Sequence, residues 1–317
     1  MKEDLFTAAE LPISKSGRIY HLDLGPGELA TDIVLVGDPD RVPFLANHFL
    51  QESEVDRNHR GLRTITGCMK GSGFRVSIVT SGMGTPSTEI VLQEIVALHE
   101  VNFETKTRFS SWPTIRVIRV GTSGALREET PLGCPIIARF GLGLDNAGLY
   151  YESPLTGELS ALEYAAKVVL ASCAQGTRFA RNVAPYAAKG TDTVALQMNK
   201  IAAVLGYEVR LGITVSNAGF FASQGRQVAR CPLTFPEIDA AFGEGLSGIE
   251  GLRFENMEME TSFLFHFMAA VGHEAGAISV ALANRRLNTF ASDPTKGVIN
   301  AATIAFQTLE TLRRGSA

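Results

Sequence analysis

The sequence predicts an α/β fold, a single domain whose central sheet is mostly parallel or mixed and is flanked by helices. Two observations carry that expectation. Short apolar, β-branched runs alternate with longer stretches of helical pattern along the whole chain. No internal repeat, low-complexity tract or long linker breaks the alternation, so one domain spans 1–317. A chain of 317 residues with 45% hydrophobic content can bury a core of that size.

The expected strands are "DIVLVG" (32–37), "RVSIVTSG" (75–82), "IRVIRVGTSG" (115–124), "CPIIARF" (134–140), "VRLGITVSN" (209–217) and "GAISVALAN" (276–284). Helices are expected over 88–99, 161–173, 193–205, 260–271 and 295–314. Near-continuous apolar strands separated by helices require cover on both faces of the sheet. The stretch "KGSGF" (70–74) reads as a hairpin turn, and the segments around 102–114 and 152–160 as polar surface excursions. Residues 1–19 read as an irregular N-terminal extension; they lack the basic and apolar regions of a signal peptide, so the expected location is cytoplasmic.

Charge and cysteine usage narrow the function. A net charge of −4 and a pI near 5.9 exclude a nucleic-acid binder with a broad basic face. They leave room for a small anionic substrate, because a few converging arginines dominate a local field. Cys68, Cys134, Cys173 and Cys231 form no CxxC pair and read as free thiols. The apolar stretch 263–283 is broken by His266, His273 and Glu274, which marks a buried helix and strand and no membrane span.

In open α/β sheets ligands bind beyond the carboxyl ends of strands. Several such ends here carry polar chemistry. In "VGDPDR" (36–41), Gly37 closes a strand and can offer its N–H to an anion, with Arg41 supplying a forked pair of donors. In "TSGMGTPSTEI" (80–90) a glycine-rich turn opens a helix with Pro86 in its first turn; the third glycine of a dinucleotide fingerprint is missing. In "IRVGTSGAL" (118–126), Arg119 lies in an apolar strand and needs a partner, and Thr122 and Ser123 stand between glycines. Arg119 can be an anion ligand or a structural partner of a core carboxylate.

Two further stretches suit a nucleoside. "NMEMETSF" (256–263) places Glu258 and Glu260 before a helix, either as favourable dipole partners or as acceptors for a ribose diol with Met259 packed on the sugar. "FFASQGR" (220–226) sets a primary amide and a guanidinium two apart around Gly225. In an extended segment such residues point to one side, and together they offer one acceptor and several donors to a flat heterocycle such as uracil. The alternative is a plain surface turn.

Taken together, "GDPDR", "SGMGTPS", "RVGTSGA", "FFASQGR" and "MEMET" stand in the order and approximate spacing of the nucleoside phosphorylase family, and the chain resembles it from about His21 to its end. The Gln–x–Arg pair resembles the pyrimidine branch. The resemblance implies a phosphate site of Gly37, Arg41, Arg119 and Thr122, joined by Arg60 from a neighbouring subunit. It implies ribose contacts from Glu260 and Met259 with Glu258 beside them, and from His21 reaching across the same interface. The base would meet Gln224 and Arg226, with Phe220 packed on it; Arg119, Gln224 and Arg226 would carry the catalysis. The implied reaction is phosphorolysis of uridine to uracil and ribose 1-phosphate, with inorganic phosphate as co-substrate and no cofactor. The implied assembly is a homodimer or a hexamer of dimers.

The chain departs from the family pattern in two places. Gly61 stands where some relatives carry a cation-binding glutamate, so no such metal site is expected, and the segments around 102–114 and 150–190 are long. A purine-cleaving relative would want an aspartate where this chain has Arg285. A hydrolytic nucleosidase would want a poised water in place of the phosphate arginines. A nucleoside-binding sensor on the same fold would be expected to have lost one of these ligands, and none is lost.

Overall fold

The computed structural model describes residues 5–315, which form two compact units: 5–83 with 87–117, and 84–86 with 118–315. In the first unit, β1 (Asp32–Val36) is buried at every position and runs parallel to β4 (Arg75–Thr80), from Ile33 opposite Ser77 to Val36 opposite Thr80. Between them in sequence come α1 (Arg41–Phe49) and a hairpin of β2 (Leu50–His59) and β3 (Leu62–Met69). β3 pairs antiparallel with both β2 and β4. Arg60 and Gly61 form the hairpin tip with φ of 55° and 80°. Two successive left-handed residues make the turn whose twist matches the flanking strands.

The first unit is completed by α2 (Thr85–Glu100), whose opening residues belong to the second unit, and by the short pair β5 (Val101–Asn102) and β6 (Thr107–Arg108). Residues 5–19 hold two isolated bridges and turns, with Leu5 opposite Thr107. Of the extension expected for 1–19, residues 1–4 lie outside the described residues.

The second unit begins within β7 (Arg116–Ala125) at Ile118 and continues with β8 (Pro135–Gly143), α3 (Gly157–Cys173), β9 (Tyr186–Lys189) and α4 (Asp192–Leu205). Next come β10 (Arg210–Ser216), α5 (Ile238–Glu244), β11 (Phe254–Glu258), α6 (Thr261–Ala270), β12 (Glu274–Asn284), β13 (Thr289–Phe290) and α7 (Thr295–Gly315). β10 lies parallel between β8 and β11, while β11 is antiparallel to β7, and β9 and β12 are antiparallel to β8. The sheet is therefore mixed. Phe140, Leu142, Leu162, Ile213, Val215, Phe242 and Phe254 fill the space between α3, α5 and these strands. Helix α6 is buried from Thr261 through Met268, as its apolar circumference demands.

Each expected strand and helix overlaps an observed one. The elements not anticipated include β2, which reads "LQESEVDRNH" and is exposed over most of its length, β11 with five residues, and also α1 and the largely buried β3.

Candidate active site

Arg119 sits in the middle of β7, where its neighbours Ile118 and Val120 are fully buried. A guanidinium there needs counter-charges, and the end of β11 supplies them. Arg119 Nη1 lies 3.3 Å from Glu258 Oε2, and Nη2 donates to Glu260. Gly121 makes room for this: a Cβ at that position would stand 1.7 Å from Arg119 Nη1. Burial opposes the charge on Arg119, but Glu260 and Glu258 outweigh it and hold its pKa above the ordinary value. For Glu260, burial is the largest influence and raises the pKa, with Glu258 adding to it and Arg119 opposing.

The two glutamates differ in their remaining contacts. Glu258 accepts from the backbone N–H groups of Glu260 and Thr261, each at 3.0 Å, and from Ser216 Oγ at 2.5 Å. It satisfies two donors at the start of α6, so the dipole-partner role applies to it together with the ion pair. Glu260 instead accepts from Gly84 N at 2.6 Å. Met259 stands between them, and a Cβ on Gly84 would lie 3.5 Å from its Cε. Thr122 is half-buried inside β7 and not beyond its end, and the adjacent Ser123 accepts from Asn256 at 2.8 Å.

The stretch 220–226 is not extended. It forms a 3-10 turn over Ala222–Gln224 and passes through Gly225 at φ 74°. Gln224 and Arg226 nonetheless converge: Arg226 Nη1 donates to Gln224 Oε1 at 3.0 Å and to the Phe220 carbonyl. The left-handed glycine, and no strand alternation, brings them together. The Arg226 guanidinium lies 4.0 Å from the Phe220 ring centroid, within range of a cation–π contact. Burial, then the neighbouring Arg285, pull the Arg226 pKa down to about 10. Arg285 donates to the Gln224 carbonyl at 3.0 Å and pairs with Asp239 at 2.9 Å. A cavity of about 400 Å³ opens beside this group, lined by Phe220, Arg226, Arg285, Asn288 and Phe290 among others.

The remaining expected residues lie in the first unit. Gly37 follows β1, and Arg41 opens α1 with its N–H bonded to the Asp38 carbonyl at 3.1 Å. His21 and Arg60 are neighbours there. His21 Nδ1 lies 2.7 Å from Glu94 Oε1, and His59 Nδ1 donates to the His21 carbonyl at 3.1 Å. Arg60 donates to the Tyr20 hydroxyl at 3.1 Å, and its guanidinium stands over the Tyr20 ring at 5.1 Å. Gly61, at φ 80°, occupies a position where any side chain is strained.

Sequence reasoning missed a polar network behind the glutamates. Tyr186 Oη donates to Asp145, 2.9 Å from Oδ2, and lies 3.1 Å from Ser262 Oγ, while Ser262 N donates to Ser216 Oγ at 2.9 Å. Ser216 in turn binds Glu258, so the chain of bonds reaches Arg119. Asp239 was missed too. Gly143 and Gly148 flank the Tyr186 ring, where added Cβ atoms would stand at 2.2 and 2.5 Å, a contact visible only in the fold.

A family model described as the phosphorylase superfamily matches residues 31–312. The chain belongs to the phosphorylase superfamily. This is a pentosyltransferase family, and its nucleoside phosphorylases act on nucleoside and phosphate. Within it, a uridine phosphorylase of Thermococcus kodakarensis is 29% identical over 289 residues, 90% of this chain and 84% of that protein. A DeoD-type purine nucleoside phosphorylase of Alkaliphilus metalliredigens is 36% identical over 118 residues, 37% of this chain and 44% of that protein. A crystal structure of a Trypanosoma brucei nucleoside phosphorylase, described as showing uridine phosphorylase activity, superposes with a TM-score of 0.86 at 25% identity. That superposition covers 95% of this chain and 99% of the other. No helix among the described residues is long and apolar enough to cross a membrane.

Proposed function

We propose that the protein catalyses reversible phosphorolysis of uridine, giving uracil and ribose 1-phosphate. The observation that carries this reading is the convergence of Gln224 and Arg226 beside the Phe220 ring. An amide with both donor and acceptor, next to a forked donor, matches the carbonyl, N–H, carbonyl edge of uracil. A phosphate oxygen attacks C1′ of the ribose as the bond from C1′ to N1 of the base breaks, and the bonding pair leaves with uracil. Charge on the departing base spreads over its carbonyls, so Arg226 and Gln224 bind the transition state more strongly than the ground state. No titrating general acid is required.

Arg119 and Thr122 hold the phosphate, and Gly37, Arg41 and Arg60 keep the phosphate role that the resemblance gives them. Glu260 and Met259 hold the ribose. Direct contact between Arg119 and Glu260 fits this division, because phosphate and sugar must meet for the reaction to proceed. Arg285 supports the pyrimidine reading: it stands where a purine-cleaving relative would want an aspartate to protonate the base. Sites completed across a dimer interface by His21 and Arg60 belong to the same proposal.

Product analysis tests it. Uridine with phosphate is expected to yield uracil and ribose 1-phosphate, and release is expected to stop without phosphate. Free ribose in phosphate-free buffer would replace the proposal with a nucleosidase; cleavage of inosine without cleavage of uridine would replace it with a purine phosphorylase.

A further inference from the structure

The loop that carries Gln224 and Arg226 is tied internally, with Ser223 Oγ donating to the Gly219 carbonyl at 2.6 Å and Gln224 Nε2 to the same carbonyl at 3.2 Å. Two contacts from outside add to these. Gly225 seats against the segment that opens α5: a Cβ there would meet the Pro236 carbonyl at 2.8 Å and Asp239 Oδ1 at 3.3 Å. Arg285 Nη2 bridges the Gln224 carbonyl at 3.0 Å and Asp239 Oδ2 at 2.9 Å. One carboxylate thus touches the loop at its glycine and grips it again through an arginine from the end of β12.

Charge points the same way. Arg226 and Arg285 line one cavity, and the ion pair with Asp239 compensates Arg285. Arg226 donates to neutral oxygens, those of Phe220 and Gln224, so it remains the cation offered to a base.

We propose that Asp239 is a positioning residue for base specificity: by holding Arg285 on the Gln224 carbonyl it fixes the edge that reads the pyrimidine. This rests on the uridine reading above. With Asp239 neutralised, Arg285 is released, the Gln224 carbonyl loses its donor, and only the bonds to the Gly219 carbonyl and Arg226 are left to set the orientation of the amide that matches the ring N–H. Uridine, which uses that orientation, suffers; cytidine, already mismatched at the far position, loses little.

The test compares wild type with Asp239→Asn, Asp239→Glu, Arg285→Gln and the Asp239→Asn/Arg285→Gln double variant. For each, kcat/KM is measured for uridine and cytidine at saturating phosphate, together with KM for phosphate. Asp239→Asn is expected to lower kcat/KM for uridine about tenfold to a hundredfold, the range of one charge-assisted hydrogen bond. The ratio of uridine to cytidine should narrow, KM for phosphate should hold, and Asp239→Glu should recover part of the loss. The double variant should lose no more than Arg285→Gln alone. Equal losses on both nucleosides, a parallel rise in KM for phosphate, or additive losses would overturn the proposal. Should Asp239→Asn fail to fold, the ratio for Arg285→Gln decides in its place. Wild type that cleaves no pyrimidine nucleoside overturns the uridine reading and this inference with it. An active wild type with an unchanged ratio in the variants overturns this inference alone.

Discussion

Arg119 and Glu260 form an ion pair inside the second unit, with side chains only 5% and 4% exposed. In the proposed reaction one binds the nucleophile and the other the sugar, so the pair couples the two substrates directly.

Removing one member of such a pair is costly because the other charge stays buried. Arg119→Met is expected to destabilise the protein by about 3–5 kcal/mol, since Glu258 and Glu260 are then left without their shared cation. Urea unfolding checks this. Glu260→Gln, which keeps a hydrogen-bonding group for Gly84, should cost less stability while still removing activity. An Arg119→Met protein as stable as wild type would show that the carboxylates find other partners.

In the proposed reaction Arg226 is aimed at the charge that develops on the leaving base. Its loss in Arg226→Ala is expected to raise the barrier for uridine by about 3–4 kcal/mol, roughly a hundred- to thousandfold in rate. Cytidine cleavage should fall far less, because cytosine offers an amino group at the far position. The readout is the ratio of kcat/KM for the two nucleosides. Near-normal uridine cleavage would return 220–226 to an ordinary turn.

Burial holds the Asp145 carboxyl above its ordinary pKa, against opposing hydrogen bonds from Ala147 and Tyr186. The folded state therefore binds this proton more tightly than the unfolded chain. Its stabilising contribution is complete below the ordinary carboxylate value of about 4 and is lost as pH rises through the raised folded value. Asp145→Asn removes that dependence. The stability of wild type minus that of the variant, measured by urea unfolding across pH, should fall through this window and level off above it. A flat difference would contradict the assignment.

If His21 and Arg60 complete a neighbour's site, two defective proteins can repair each other. Arg60→Ala and Glu260→Ala are each expected to be inactive, and mixing them under subunit exchange should restore part of the activity through one intact site per mixed dimer. Absence of recovery despite proven exchange would place Arg60 in its own subunit's chemistry.

The sequence disclosed the buried elements better than the exposed ones. β1, β7, β8, β10 and β12 announce themselves through apolar, β-branched runs, and α7 through helical periodicity. β2 carries one charge or amide after another and has no buried face to enforce an alternation. At the site, Arg119 was legible because an arginine inside an apolar strand must be paired; that its partners are Glu258 and Glu260, about 140 residues away, is a tertiary fact. Gln224 and Arg226 were legible as a pair, but their convergence comes from a left-handed glycine and not from an extended strand. Asp239 had no signal, since an acid in the first turn of a helix is commonplace.

The Arg60–Gly61 tip fixes more than the direction of one guanidinium. With both residues left-handed, the turn has a single length compatible with the pairing of His59 opposite Leu62 and Arg57 opposite Thr64. Adding or deleting one residue would shift the pairing beside the tip by one step, as far as the first irregularity of the ladder between Ser53 and Val55. The reach of Arg60 is therefore set by chain count before any rotamer is chosen.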